Sequence, residues 1–274
     1  MRTSDTRDGT NMALDDPIAL VEPGRNGDII NILPLAKYLH DQGEQVDLLV
    51  HPNFAALLDG VSYVRPVLLP HEDEHRPEEA RVWATARYQR VIVSKVWNNR
   101  YLDRSAAESF AAEAYRLAGY PELFGKLSTV FDRRSSEREA RLVGKHLDRG
   151  VPFILYNLEG SSSQFKRRAG FVRWLRWQRW NARLVKLPLD CHRLYDLLGL
   201  YERADLLITT DTATLWLAHA VHIPTIVLHQ TDTWLRAPLP PATVLNCTYE
   251  GALSRRREIA AAIRQVLDRR AVAA

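Results

Sequence analysis

The sequence predicts an α/β protein built as two tandem lobes, each a parallel sheet with crossover helices. Three observations carry this reading. A strand-loop-helix-strand pattern fills residues 18–50, a Gly and Pro break falls at 148–152, and the same alternation restarts directly after it. A chain of 274 residues holds two compact lobes comfortably, since one domain usually takes roughly 100–200 residues. Four segments follow: a tail at 1–16, a first lobe at 17–148, a second at 149–253 and a terminal helix at 254–274.

Each element has its own signal. The tail is polar and lacks helical or strand periodicity, which predicts a disordered start. IALV at 18–21 reads as a buried strand, and EPGRNGD at 22–28 as a turn. Apolar residues at helical spacing then run from Ile29 to Leu39, and QVDLLV at 45–50 is the next strand. Such a unit closes right-handed into a parallel sheet. A helix is expected at 54–58, strands at 63–69 and 90–94, and helices at 105–117 and 137–147. The His and acid run at 71–79 contains Pro77 and reads as a solvated loop rather than a metal site. In the second lobe, strands are expected at 153–157, 183–187, 205–209 and 225–229. Helices are expected at 170–180, 192–202, 212–221 and 254–270.

Composition excludes some classes. With 46% apolar and 26% charged residues the chain can fill a core, and no apolar run approaches the roughly 20 residues of a membrane helix. No apolar signal-peptide core stands at the start, so a cytoplasmic protein is the expectation. Cys191 and Cys247 stand far apart and read as ordinary thiols, without paired zinc-ligand spacing. The net charge of +4 favours an anionic partner without choosing among nucleotides, lipid headgroups and nucleic acid.

Three loops at strand ends carry chemistry, because open α/β sheets bind ligands at the carboxyl ends of their strands. In RNGD at 25–28, Gly27 lets the backbone turn and Asp28 stands at a helix start, as a helix cap, a cleft carboxylate or both. In TTDTATL at 209–215, hydroxyls and a carboxylate meet a helix N-terminus, which suits either a capped helix or a phosphate site. In GSSSQFK at 160–166, small residues precede Lys166, a point charge suited to a diphosphate.

Taken in order, GRNGDIINILPLAKYL with QVDLLVHPNFAALLDG, SSSQFKRRAGFVRWL with RLVKLP, and ADLLITTDTATLWLAHAVHIPTIVLHQTD resemble the bacterial heptosyltransferases, glycosyltransferase family 9. The resemblance spans most of residues 17–235 and implies the GT-B fold, two Rossmann-like lobes facing across a cleft. It implies that Asp28 is the general base in an inverting transfer from a nucleotide-diphosphate sugar, the donor substrate, with no metal and no further cofactor. It assigns donor binding to Gly27, Ser161, Ser162, Lys166, Asp211, Thr212, Ala213, Thr214 and Leu215. Two positions depart from the family pattern: Ala213 replaces a glycine, and Trp216 stands where a histidine is frequent, with His219 one turn later.

The segment from Lys166 to Trp180 alternates cations with aromatics. On a helix, Phe171, Val172, Trp174 and Leu175 share an apolar face, and Arg173, Arg176 and Arg179 share another. Arg25, Asn26, Arg173, Arg176, Trp177, Arg179 and Trp180 are therefore candidate contacts for an acceptor or for nucleic acid. A saccharide or lipid-linked sugar acceptor at an anionic membrane surface and a hydroxylated DNA base both fit. A non-catalytic nucleotide-sugar-binding protein is the reading from a different class, which the departures at Ala213 and Trp216 favour.

Overall fold

The structure is a computed structural model that describes residues 16–70, 76–95, 110–146, 151–160, 165–187, 191, 193–230 and 239–273. The expected tail at 1–16 lies outside the described residues except for Asp16, as does most of the break at 148–152.

The first half holds β1 (Ile18–Val21), α1 (Asn26–Asp41), β2 (Val46–Val50), β3 (Arg65–Leu68), α2 (Pro77–Thr85), β4 (Arg90–Val93), α3 (Phe110–Leu117) and α4 (Ser136–His146). The second holds β5 (Phe153–Asn157), α5 (Arg168–Trp177), β6 (Arg183–Lys186), α6 (Leu198–Tyr201), β7 (Leu206–Thr210), α7 (Ala213–Leu217), β8 (Thr225–His229), β9 (Thr243–Thr248), α8 (Tyr249–Ser254) and α9 (Arg256–Ala273). Short 3-10 helices at Pro52–Gly60, Pro121–Leu123, Leu194–Leu197 and Ala218–Ala220 fill the connections.

Two separate sheets form, in the orders β3-β2-β1-β4 and β6-β5-β7-β8-β9. Every strand pair in them is parallel. Parallel sheets need apolar cover on both faces, which is why β1, β2, β5, β7 and β8 are buried along their whole lengths. Ala80 and Ala84 of α2 cover one face of the first sheet, against Ala19, Val21 and Leu49. Phe171 and Leu175 of α5, with Ile259 and Ile263 of α9, cover one face of the second. The remaining faces share one core, in which Ile29, Ile32, Leu33 and Leu35 of α1 join Leu155, Leu207, Trp216 and Leu217. Helices α1 and α7 make the most extensive helix contact between the halves.

Several elements depart from the expectations. Pro77, Glu78 and Glu79, expected in a loop, form the first turn of α2, because proline is preorganised for a helix start and acids there complement the dipole. The helix expected at 170–180 spans Arg168–Trp177 and stops before Arg179, whose φ of +49° breaks the helix. The helices expected at 192–202 and 212–221 divide into 3-10 and α pieces, whereas the helix expected at 254–270 forms as α9, with the short α8 before it. Strand β9 was not expected. Helix α4, drawn from sequence as the end of the first lobe, packs against α6, where Arg134 bridges Glu139 and Glu202 and Arg138 meets Asp196 at 3.2 Å.

Candidate active site

In each sheet the strand order reverses beside the first strand laid down: between β1 and β4 in the first, and between β5 and β7 in the second. Crevices at the carboxyl ends of such strand pairs are where open α/β sheets hold ligands.

The first crevice carries a compact ionisable cluster. Arg25 is the N-cap of α1, so Asp28 occupies the third helical position rather than the cap, and its Oδ2 accepts from the Arg25 backbone N–H at 2.9 Å. Lys95, two residues beyond β4, donates to the same Oδ2 at 2.8 Å. Among the described residues Oδ1 accepts no hydrogen bond, so one oxygen is committed to position and the other is open. Glu22, at the end of β1, is buried and accepts from Gly24 N–H at 2.9 Å and from the Ser94 hydroxyl at 2.7 Å. Burial pushes its carboxyl up to about 7, Lys95 opposes this and Asp28 adds to it. The packing leaves no room for a side chain at 24: a Cβ there would sit 2.6 Å from Glu22 Oε1 and closer still to Asp28 Oδ2.

The second crevice carries a hydroxyl network. Buried Thr214 is its hub: Oγ1 lies 2.9 Å from Thr209 Oγ1 and 2.7 Å from Thr212 Oγ1, and it receives Asn157 Nδ2 at 2.9 Å. Tyr201 donates to the Thr214 carbonyl at 3.0 Å. Thr212 is the N-cap of α7, yet its side chain makes no capping bond, so these hydroxyls are spent on one another rather than on the helix end. Asp211 is half-buried and accepts from the Trp216 indole; burial, and next the charge of Asp28, push its carboxyl up to about 7.

The two crevices meet. A Cβ on Gly27 would lie 3.1 Å from Trp216 Cδ1 and 3.6 Å from the Ala213 nitrogen, so the absence of a side chain lets α1 seat against the start of α7. Trp216 is 4% exposed and stacks on His219 with ring centroids 5.4 Å apart. The chain thus fills with a buried indole the position at which a histidine was expected from the resemblance.

The other sequence candidates fall in different places. Lys166 is exposed in the turn before α5, while Ser161 and Ser162 lie outside the described residues. Ala213 and Leu215 lie within α7, half-buried and buried; Asn26 begins α1, half-buried. Arg173 and Arg176 are exposed on α5, and Trp177, 76% exposed, ends it. Arg179 and Trp180 do not join that face. They follow the helix end, and Trp180 packs into the core below, with the Arg264 guanidinium 5.7 Å from its ring. Cys191 and Cys247 are not bonded to each other. Among the described residues no group of three or more His, Cys, Asp or Glu is arranged to hold a metal ion, and no helix is long and apolar enough to cross a membrane. Glu22, Ser94 and Lys95 were missed in the sequence. A buried-type strand running into an acid, and another running into Ser-Lys, was the available signal.

No protein-family model matches the sequence, and a search of curated proteins finds no match. Solved structures do match. A glycosyl transferase family 9 protein from Veillonella parvula is similar over 89% of this chain and 90% of its own, at 12% identity and a TM-score of 0.58. The E. coli ADP-heptose lipopolysaccharide heptosyltransferase II is similar over 85% and 89%, at 12% identity and 0.51. The iron-containing dodecameric glycosyltransferase TibC of enterotoxigenic E. coli is similar over 85% of this chain and 63% of its own, at 11% identity and 0.54. The chain has the GT-B fold of these glycosyltransferases, two parallel-sheet lobes joined across a cleft.

Proposed function

We propose that the chain is a glycosyltransferase that moves a sugar, a heptose or hexose, from a nucleotide-diphosphate sugar to an acceptor hydroxyl by a metal-independent inverting displacement. The observation that supports this most is the meeting of Asp28 with Asp211 and the Thr212–Thr214 hydroxyls where the two crevices face each other. Asp28 Oδ1 takes the proton of the acceptor hydroxyl as its oxygen attacks the anomeric carbon from one face. The bond from that carbon to the diphosphate breaks on the other, and the diphosphate leaves with the electron pair. Lys166 and the hydroxyls of the 161–166 and 211–215 loops stabilise its charge, a role that electrostatic preorganisation performs without a metal. Lys95 holds the Asp28 carboxylate in place, so that the base does not have to reorient during the step.

Transfer or donor hydrolysis measured over a panel of nucleotide sugars, with the wild type and Asp28→Asn, tests this. Turnover should fall about 10²- to 10⁴-fold in the variant, the usual worth of a general base, while nucleotide-diphosphate affinity stays within about twofold. Nucleotide-sugar binding by the wild type with no turnover on any acceptor would instead identify a binding protein.

A further inference from the structure

A second concave site lies on the far side of the second lobe's sheet from α7, between α5 and the edge strand β6. It is a groove of about 440 Å³ lined by Tyr156, Glu159, Arg168, Arg173, Arg176 and Lys186, with Leu158, Ala169 and Val172 as its apolar floor. Because β6 ends the sheet, no further strand among the described residues closes the groove on that side. Helix periodicity builds its wall. Arg168, Val172 and Arg176 form one row at spacing four, and Ala169 and Arg173 lie on the adjacent row.

The charges are unequally committed. Glu159 accepts from Lys186 at 3.1 Å through both oxygens and meets Arg168 at 3.5 Å. Arg176 donates to the Tyr156 hydroxyl at 3.4 Å, and among the described residues the Arg173 guanidinium has no partner. Four cations thus face one carboxylate, and two guanidinium forks are left to engage oxygens of a tetrahedral anion. A carboxylate and a phenol beside the forks suit sugar hydroxyls. At about 1.5 Å per residue the row from Arg168 to Arg176 runs about 12 Å, enough for one phosphate and one or two sugar rings and too short to track a nucleic-acid backbone.

We propose that this groove is a binding site for a phosphorylated saccharide, separate from the donor crevice and filled whether or not a donor is bound. Titration calorimetry on the full chain, with glucose 6-phosphate, glucose and inorganic phosphate as probes, tests it, together with the exposed double variant Arg173→Ala/Arg176→Ala. Glucose 6-phosphate should bind at least about tenfold more tightly than either fragment, and the double variant should lose at least about tenfold. Equal affinity for inorganic phosphate, or no saturable binding at millimolar concentration, would overturn the proposal. So would displacement of the sugar phosphate by anionic vesicles or single-stranded DNA that bind more tightly, since the occupant would then be a membrane or a nucleic acid. Titration with ADP and UDP separates this result from the glycosyl-transfer reading. Nucleotide affinity should stay within about twofold in the double variant, and a parallel loss would make the groove part of the donor site.

Discussion

Glu22 and Asp211 are carboxyls whose ionised forms the fold resists, both being pushed up to about 7 from 4.5 and 3.8. A raised folded pKa means stability that is fully present below the unfolded value and lost as pH climbs through the folded one. These two groups therefore withdraw stability between about pH 4 and 7. His229 acts in the opposite sense. Burial lowers its imidazole to about 4 from 6.5, and its contribution is present above pH 6.5 and lost as pH falls through about 4. Removing the Glu22 charge with Glu22→Gln should make the variant gain on the wild type by roughly 2–3 kcal/mol as pH rises from 4.5 to above 7. Denaturant unfolding across that range checks it, and a constant difference would show that Glu22 ionises freely in the fold. At this scale Asp28 was legible, because Gly-Asp before an apolar helix is a local pattern. Lys95 was not, since it lies 67 residues away and reaches Asp28 only through the pairing of β1 with β4.

Helices α1 and α7 set how the halves meet, and each carries a change that tests its part. Gly27→Val would drive a branched side chain into Trp216, 3.1 Å from the nearest ring atom, and should cost about 1–3 kcal/mol by overpacking. Thermal unfolding measures this; an unchanged midpoint would mean that α1 and α7 give way freely. Thr214→Val removes the hydroxyl that Asn157, Thr209 and Thr212 share, and stranding the buried Asn157 and Thr209 groups should cost about 1–3 kcal/mol while weakening nucleotide-diphosphate binding. Loss of stability with unchanged binding would confine the network to a structural role. Strands β1 to β8 and α1 were legible through their apolar runs. Helix α2 was hidden because Pro77 in an acidic stretch looks like a breaker until it is placed at the first helical position. Strand β9 was hidden by TVLNCT, in which Asn246 interrupts the apolar pattern. The end of α5 depends on the left-handed backbone of Arg179, which no local residue preference announces, and this removed Arg179 and Trp180 from the exposed basic face.

Across the whole molecule, the tandem lobes were legible because each repeats the strand-loop-helix-strand pattern on its own. The joint was not: α1 meeting α7, and α4 packing on α6, are contacts between segments far apart in sequence, with no periodicity to reveal them. That joint brings the carboxylate cluster of one crevice against the hydroxyl network of the other, and in the proposed reaction a nucleotide-diphosphate sugar lies between them. A thermal-shift screen of the intact chain against a panel of nucleotide-diphosphate sugars tests it most directly. One member of the panel at about 100 times its dissociation constant should add about 2.7 kcal/mol, which raises the unfolding midpoint by about 5 °C. No shift with any member of the panel at saturating concentration would contradict the account.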